Sequence, residues 1–424
     1  MTATKNKLSG KLLALIMIGL ATCSFTPIIK HPLIFLFFGV LALYLIRIHS
    51  DASGYRRNPR LVICVYLYIC VCIIYRLLEI SDASFGEILK HILFFIPILL
   101  MLLLSDKLTE RQSQWIFWII IVVVLINIVD NIRLCLLHPE LYVKVNRGML
   151  AAETMDERIN IGGSQFYNAI YFFITVCFFC FLNCSRKAVR YLILGSVILS
   201  TVFIFAFCLK ASVIVFTCMT IVLLFFAKRA SNIRKFAMLI VAPALIAYVL
   251  VSLYEDFIIE LIFNTFSSDR LAQRLALLID SDSAEAAKGA STVNARENLW
   301  MLSVNTWLEN PINFIFGIGD HRANWMAGER AAETGIGQHS AFFDSLARYG
   351  LIGFFLLIAI FKVSFTYLKS LFDKEYHLQI LVIILLFVLF GFAKGVFTLA
   401  IGCALFLMLP LSTCFVNKKR NEVI

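Results

Sequence analysis

His339 is the residue whose type and position in this sequence best suit proton transfer. It lies in the stretch GQHSAFFDSLARYG at residues 337–350, directly before a long apolar run. A histidine titrates near neutral pH and can accept or donate a proton. Asp344 and Arg348 follow at a spacing of four residues, which places them on one helical face and predicts that they neutralise each other. His339 is therefore a catalytic candidate, and a purely structural histidine is the alternative interpretation.

Positively charged residues at other predicted helix mouths are suited to binding phosphate. Lys210 interrupts the apolar stretch FIFAFCLKASVIVF, where a charge is costly and by default indicates a site. Arg158 precedes another apolar run, and Lys394 lies between the last two. If the bundle is compact, these cations and His339 converge on one face. Such a group can hold a diphosphate without a metal ion.

The longest predicted loop, residues 255–345, carries further candidate cations. It contains 13 acidic and 6 basic residues, so its arginines stand out against a negative background. The segment SDRLAQRLALLID predicts an amphipathic helix with Arg270 and Arg274 on one face, which indicates either a guanidinium pair facing phosphate or a solvated surface. The segment ARENLWMLSVNTWLE predicts a second such helix that carries Arg296. The stretch FGIGDHR, which ends at Arg322, predicts a turn hinged by glycines.

Long apolar helices must position these residues. The chain has 424 residues, of which 61% are hydrophobic and 15% charged, whereas soluble domains are about 45–50% apolar and about 25% charged. Because a spanning helix needs about 20 mostly apolar residues, the sequence predicts an all-α polytopic membrane protein with about 12 transmembrane helices. This composition excludes a soluble enzyme, a disordered chain and a disulfide-stapled secreted module, and the long apolar runs argue against an outer-membrane barrel, whose strands alternate in hydrophobicity. The predicted spans lie near 12–29, 32–48, 61–79, 87–104, 114–135, 165–183, 191–209, 211–227, 236–254, 346–368, 378–393 and 396–416.

The distribution of Lys and Arg predicts the orientation of these spans. With both termini inside, every predicted cytoplasmic segment is basic, as the positive-inside rule requires. The same alternation places the acidic loop and all the candidate residues outside. It divides the chain into an N-terminal membrane bundle of about nine spans (1–254), a large, partly helical periplasmic loop (255–345) and about three C-terminal spans (346–424).

The net charge of +11 and the 12 cysteines have structural explanations. A cytoplasmic excess of Lys and Arg accounts for the charge, and the sequence has no basic face interleaved with aromatics that would indicate nucleic-acid binding. The cysteines lie largely in apolar runs, where a thiol packs as a small hydrophobe. Cys177 and Cys180 lack the histidines or carboxylates that a metal site needs. We therefore expect no metal and no nucleic-acid partner.

In their order and topology, these residues resemble the O-antigen polymerase and ligase superfamily of bacterial inner membranes. The similarity covers most of the chain in topology, and Lys210-Ala211-Ser212 falls where the family has a basic residue, more often Arg, beside Ser or Thr. Arg158 resembles part of the first periplasmic motif, although the usual Asn-Pro is absent. The further matching residues are Gly162 and Asn168, Arg296 and Trp300, Pro311, Gly317 and Gly319, His339-Ser340, Asp344, and Tyr349-Gly350.

This resemblance implies a GT-C-like glycosyltransferase of the bacterial cell inner membrane that uses no metal and no cofactor. Its substrate would be an oligosaccharide on undecaprenyl diphosphate at the periplasmic face, and its partners would be the lipid bilayer and a chain-length regulator protein. By position, His339 and Arg296 are assigned as catalytic. The residues assigned to the diphosphate or the rest of the substrate are Arg158, Lys210, Arg270, Arg274 and Arg322.

The polymerase and the ligase of this superfamily share one architecture. Ligases more often have Asn after the histidine, so Ser340 favours a polymerase that extends lipid-linked repeat units. The alternative is a ligase that transfers the finished glycan to lipid A–core. A flippase or transporter is less favoured, because those often show two matching halves, whereas about nine and about three spans flank the large loop here.

Overall fold

The computed structural model describes residues 2–25, 58–78, 92–139, 164–208, 210–230, 232–239, 297–321, 334–337 and 339–416. All regular secondary structure in these ranges is helical. The helices are labelled here in chain order: α1 Thr2–Phe25, α2 Pro59–Leu77, α3 Ile96–Lys107, α4 Glu110–Leu137, α5 Ser164–Asn183, α6 Lys187–Phe207, α7 Ala211–Arg229, α8 297–308, α9 Pro311–Phe316, α10 Ala341–Ser370, α11 His377–Ala393 and α12 Leu399–Val416.

Eight helices within the described ranges are long and apolar enough to cross a membrane, namely α2, α4, α5, α6, α7, α10, α11 with the preceding 3-10 turn, and α12. Each coincides with a predicted span, so the prediction of a helical multi-pass membrane protein is confirmed. A bilayer favours this outcome because a helix satisfies its backbone hydrogen bonds internally. The predicted span 32–48 lies outside the described residues, as does 236–254 beyond residue 239.

The predicted span 87–104 is interrupted in the structure. Residues 92–93 are helical, Phe94 and Phe95 form a turn, and α3 begins only at Ile96. Pro97 explains the interruption, because proline has no N–H to donate to the carbonyl four residues earlier.

The core of the bundle contains α12 and α5, whose spanning windows are 94% and 83% buried. The Tyr171 ring of α5 stacks on Phe390 of α11, with ring centroids 4.8 Å apart, and it lies 6.1 Å from Phe216 of α7. The rings of Phe216 and Phe390 are themselves 5.0 Å apart. These three side chains, hereafter the aromatic layer, fix the relative height of α5, α7 and α11.

Short connections define the two ends of the bundle. Residues 208–210 join α6 to α7, and residues 394–398 join α11 to α12. Both connections lie at the end where α10 begins, hereafter the His339 end. At the opposite end, the Lys228 ammonium lies 5.6 Å from the centre of the Tyr376 ring, which ties the end of α7 to the start of α11. The two helices are therefore antiparallel, and Lys210 and Lys394 occupy the same end.

Helix α10 is broken near its start at Gly350, whose φ of 57° and ψ of −160° are not helical. The break releases carbonyl groups from the helical pattern, and the loop after α9 uses them: Ile318 N–H donates to Ala347 O and Gly319 N–H to Arg348 O, both at 2.9 Å. Gly317, with φ 77°, packs against the same backbone. The loop is therefore docked onto the broken helix through main-chain contacts.

Gly317→Ala tests this docking. A Cβ at position 317 would lie 2.5 Å from the carbonyl group of Arg348, and alanine disfavours the positive φ. We expect the variant to lose about 2 kcal/mol of stability or more, measured as a lower melting temperature in detergent. Gly195→Ala is the matched control because nothing lies within 4 Å of its Cβ position. An unchanged melting temperature for Gly317→Ala would show that this loop is not held as described.

Candidate functional site

Three elements meet at the His339 end. Ser340 caps α10, its hydroxyl accepting the Phe343 N–H at 3.2 Å, and His339 precedes this cap. The Ala341 N–H donates to the Lys394 carbonyl at 3.2 Å, which joins the start of α10 to the end of α11. Lys210 is the N-cap residue of α7, and its carbonyl accepts the Val213 N–H at 3.0 Å.

The buried thiol of Cys208 lies near the positive charges of Lys210 and Lys394. Burial raises the pKa of the Cys208 thiol to about 11, while the nearby positive charges of Lys210 and Lys394 act in the opposite direction. The Cys208 thiol also contacts the Lys210 carbonyl at 3.8 Å. Lys210 and Lys394 are therefore both within electrostatic reach of one side chain, and the backbone of Lys394 contacts the segment that carries His339.

Helix ends add to the positive potential at this place. The N-termini of α7 and α10 are the positive ends of their helix dipoles, and both point to the His339 end. Lys210 lies at the first of them, where the dipole disfavours a cation and favours an anion. The helix dipoles of α7 and α10 and the positive charge of Lys210 together favour a negatively charged ligand.

The ring of His339 is oriented by a main-chain carbonyl. Its Nδ1 lies 3.0 Å from Gly337 O. A carbonyl oxygen only accepts hydrogen bonds, so this partner assigns the proton of the neutral ring to Nδ1. Nε2 is then the basic nitrogen, and it can accept a proton from a substrate hydroxyl.

Helix α8 holds this segment in place. The Gly337 N–H donates to the Ser303 hydroxyl at 2.9 Å, and that hydroxyl donates to Asp344 Oδ1 at 2.8 Å. Ser303 and Asp344 are both buried. Ser303 thus bridges the Asp344 carboxylate and the Gly337 N–H, and the carbonyl of the same glycine contacts His339, so Asp344 and Ser303 help to position the segment that carries the histidine.

Arg348 has a close partner that the sequence did not suggest. Its Nε lies 2.9 Å from Oδ1 of Asp320, and the two side chains are 8% and 1% exposed. The charge of Asp344 stabilises the Arg348 guanidinium, in line with the predicted neutralisation, but the direct ion pair is with Asp320, on the loop after α9, while Asp344 Oδ1 accepts from Ser303. The additional partner follows from the break at Gly350, which brings this loop against the arginine.

Aromatic residues of α2 brace the same region. The Tyr75 hydroxyl donates to Phe316 O, at the end of α9. The Tyr349 ring meets Tyr68 and Tyr75 edge to face, with centroids 5.6 and 5.8 Å apart. These contacts fix α2 against both α9 and the broken start of α10, which holds the buried ion pair between them.

Of the predicted site residues, the structure describes Lys210 and His339 and places both at the same end of the bundle. The others lie outside the described residues: Arg158, Arg270, Arg274, Arg296 and Arg322. Sequence reasoning assigned no role to Ser303 or Asp320. Within the described ranges, no three His, Cys, Asp or Glu side chains are grouped as a metal site requires.

Comparison with known proteins identifies one family. Residues 196–358 match the family model described as O-antigen ligase. This segment runs from α6 into α10 and includes Lys210, His339 and Asp344. No curated protein matches the chain significantly. The family match confirms the resemblance to the O-antigen polymerase and ligase superfamily.

Proposed function

We propose that this chain, as a member of the O-antigen polymerase and ligase superfamily, transfers a glycan from undecaprenyl diphosphate to the hydroxyl of an acceptor lipid-linked repeat unit. The family supports a glycosyltransferase with a polymerase or ligase role. The structure adds the observation that carries the proposal: an oriented histidine and a lysine at a helix N-terminus lie at one end of a membrane bundle. The histidine can accept the proton of an attacking hydroxyl group, and the lysine can stabilise the negative charge of a diphosphate leaving group.

The chemical step needs a base and a stabilised leaving group. The acceptor oxygen attacks the anomeric carbon and forms the new glycosidic bond, while the bond from that carbon to the diphosphate oxygen breaks with inversion. Nε2 of His339 takes the proton of the acceptor hydroxyl and later releases it to water. The bonding electrons leave with undecaprenyl diphosphate, whose added negative charge Lys210 and the α7 N-terminus stabilise. The donor already carries its activation, so the step uses no nucleotide.

The distribution of charge supports a periplasmic position for this chemistry. Exposed basic residues gather at the end opposite His339, namely Arg186, Lys187, Arg190, Lys228 and Arg229. In an inner membrane, the positive-inside rule places that end in the cytoplasm. The His339 end then faces the periplasm, where lipid-linked repeat units are joined, and both termini are cytoplasmic.

The lipopolysaccharide pattern of a deletion strain tests the proposal. A polymerase predicts a core that carries a single repeat unit, restored to a full ladder by the wild-type gene. Bare core with accumulated lipid-linked polymer would instead establish the ligase, the activity after which the matching family is described. Loss of all outer-leaflet lipid-linked units would contradict both and indicate a flippase. A chain-length regulator as partner stays a prediction.

Lys210 variants test the leaving-group role. We expect Lys210→Ala to slow chain extension about 10- to 100-fold, because one charged contact to the departing diphosphate is lost, and Lys210→Arg to be milder because the charge is kept. Chain extension is measured in a deletion strain that carries each variant at equal protein level. Lys187→Ala, at an exposed position of the opposite end, is the control. Equal activity of wild type, Lys210→Ala and Lys210→Arg would make Lys210 structural.

A further inference from the structure

Lys394 and Lys210 lie at a similar depth in the bundle, just beyond the aromatic layer on the side of the His339 end. Lys394 follows Phe390 of α11 by four residues, and Lys210 precedes Phe216 of α7 by six. At about 1.5 Å per residue, both lysines lie roughly 6–9 Å beyond the two rings, on the His339 side. Those rings are 5.0 Å apart. The backbone of Lys394 also accepts from Ala341, two residues after His339.

Two buried polar atoms lie between the aromatic layer and these lysines. Asn168 precedes Tyr171 of α5 by three residues and Ser212 precedes Phe216 by four, so each shares a helical face with its aromatic residue and lies about one turn further out. Asn168 is 4% exposed. Asn168 Oδ1 and Ser212 Oγ have no hydrogen-bond partner within the described residues, and a buried polar atom of this kind is costly unless a ligand satisfies it.

We propose that Lys394 is a second cation for the diphosphate of the donor, and that Asn168 and Ser212 accept hydroxyl groups of its first sugar. The inference rests on the proposed function and extends it. Two lysines match the two phosphates of a diphosphate, since each ammonium group can donate to phosphate oxygens. An amide oxygen and a hydroxyl suit sugar hydroxyls, which donate hydrogen bonds. The sugar would thus lie inward of the phosphates and beside His339.

Binding of undecaprenyl diphosphate without a sugar tests the lysine. The full-length protein is placed in nanodiscs, and its affinity for this lipid is measured for wild type, Lys394→Ala and Lys394→Arg. We expect Lys394→Ala to weaken binding about tenfold or more and Lys394→Arg to stay within about threefold of wild type. Lys369→Ala, exposed near the end of α10, serves as the control. Wild-type affinity in Lys394→Ala would overturn this inference alone, whereas a wild type that binds no undecaprenyl diphosphate would overturn the proposed function as well.

Asn168→Ala separates the sugar contact from the diphosphate contact. We expect its turnover of lipid-linked repeat units to fall about tenfold, with its affinity for sugar-free undecaprenyl diphosphate unchanged. Ser200→Ala removes another buried hydroxyl that lacks a hydrogen-bond partner, on α6, and is expected to leave both quantities unchanged. Equal loss of both quantities in Asn168→Ala, or loss of neither, would contradict the sugar assignment.

Discussion

His339→Ala is expected to abolish visible chain extension while the protein still inserts and folds. A positioned general base contributes about 10²- to 10⁴-fold to rate, so we expect the variant to retain at most about 1% of wild-type activity. The structural reason is that the Gly337 carbonyl orients the ring and leaves Nε2 as the basic nitrogen. The His339→Ala substitution leaves the N-cap of α10 intact, because the side chain of Ser340 supplies that cap. The measurement is the lipopolysaccharide ladder of a deletion strain that carries the variant.

His138→Ala is the matched control for this experiment. His138 is exposed at the C-terminus of α4, so its loss removes a histidine without touching α10. We expect a normal ladder from this strain. A normal ladder from a stably expressed His339→Ala protein would remove His339 from the mechanism.

Asp320→Ala is expected to cause the largest loss of stability among single substitutions in the described residues. It leaves the buried Arg348 guanidinium without its 2.9 Å partner, and breaking a buried ion pair in this way costs about 3–5 kcal/mol. The loop after α9 would lose its side-chain anchor while it keeps the two main-chain bonds to the broken α10. The free energy of unfolding in mixed micelles measures the effect.

A second substitution distinguishes an unpaired charge from a simple loss of packing. We expect the double variant Asp320→Ala with Arg348→Met to recover part of the stability that Asp320→Ala alone loses, because the arginine charge that lacked its partner is then gone. Glu297→Gln, at an exposed position of α8, should change the stability by less than about 0.5 kcal/mol. Additive losses for Asp320→Ala and Arg348→Met would contradict the ion pair as the anchor.

The helices could be predicted from the sequence, since a bilayer leaves long apolar runs little choice but to be helical. Local signals also placed some boundaries: Pro311 is at the first turn of α9, as expected after the end of α8, and Gly317 and Gly319 adopt the left-handed backbone of the predicted turn. The start of α10 at Ala341, earlier than the predicted 346, follows from the Ser340 cap.

The contacts that build the candidate site could not be predicted in this way. The spacing of Asp344 and Arg348 showed that the two share a helical face, but the closer partner of Arg348 comes from a loop that docks where Gly350 breaks the helix. The approach of Lys394 to the His339 segment depends on contacts between distant parts of the chain, namely the hydrogen bond from Ala341 and the packing of Phe342 and Phe343 against Phe392. Periodicity carries no information on such contacts, because they arise from packing between helices.

We propose above all that the His339 end transfers a glycan from a diphosphate lipid. The most direct test of this proposal is reconstitution of the purified chain in bilayers that contain undecaprenyl-diphosphate-linked repeat units and no nucleotide sugar. We expect polymer together with one released undecaprenyl diphosphate for each new linkage, and neither product with His339→Ala. Intact lipid-linked repeat units with no released undecaprenyl diphosphate from the wild-type protein would contradict it.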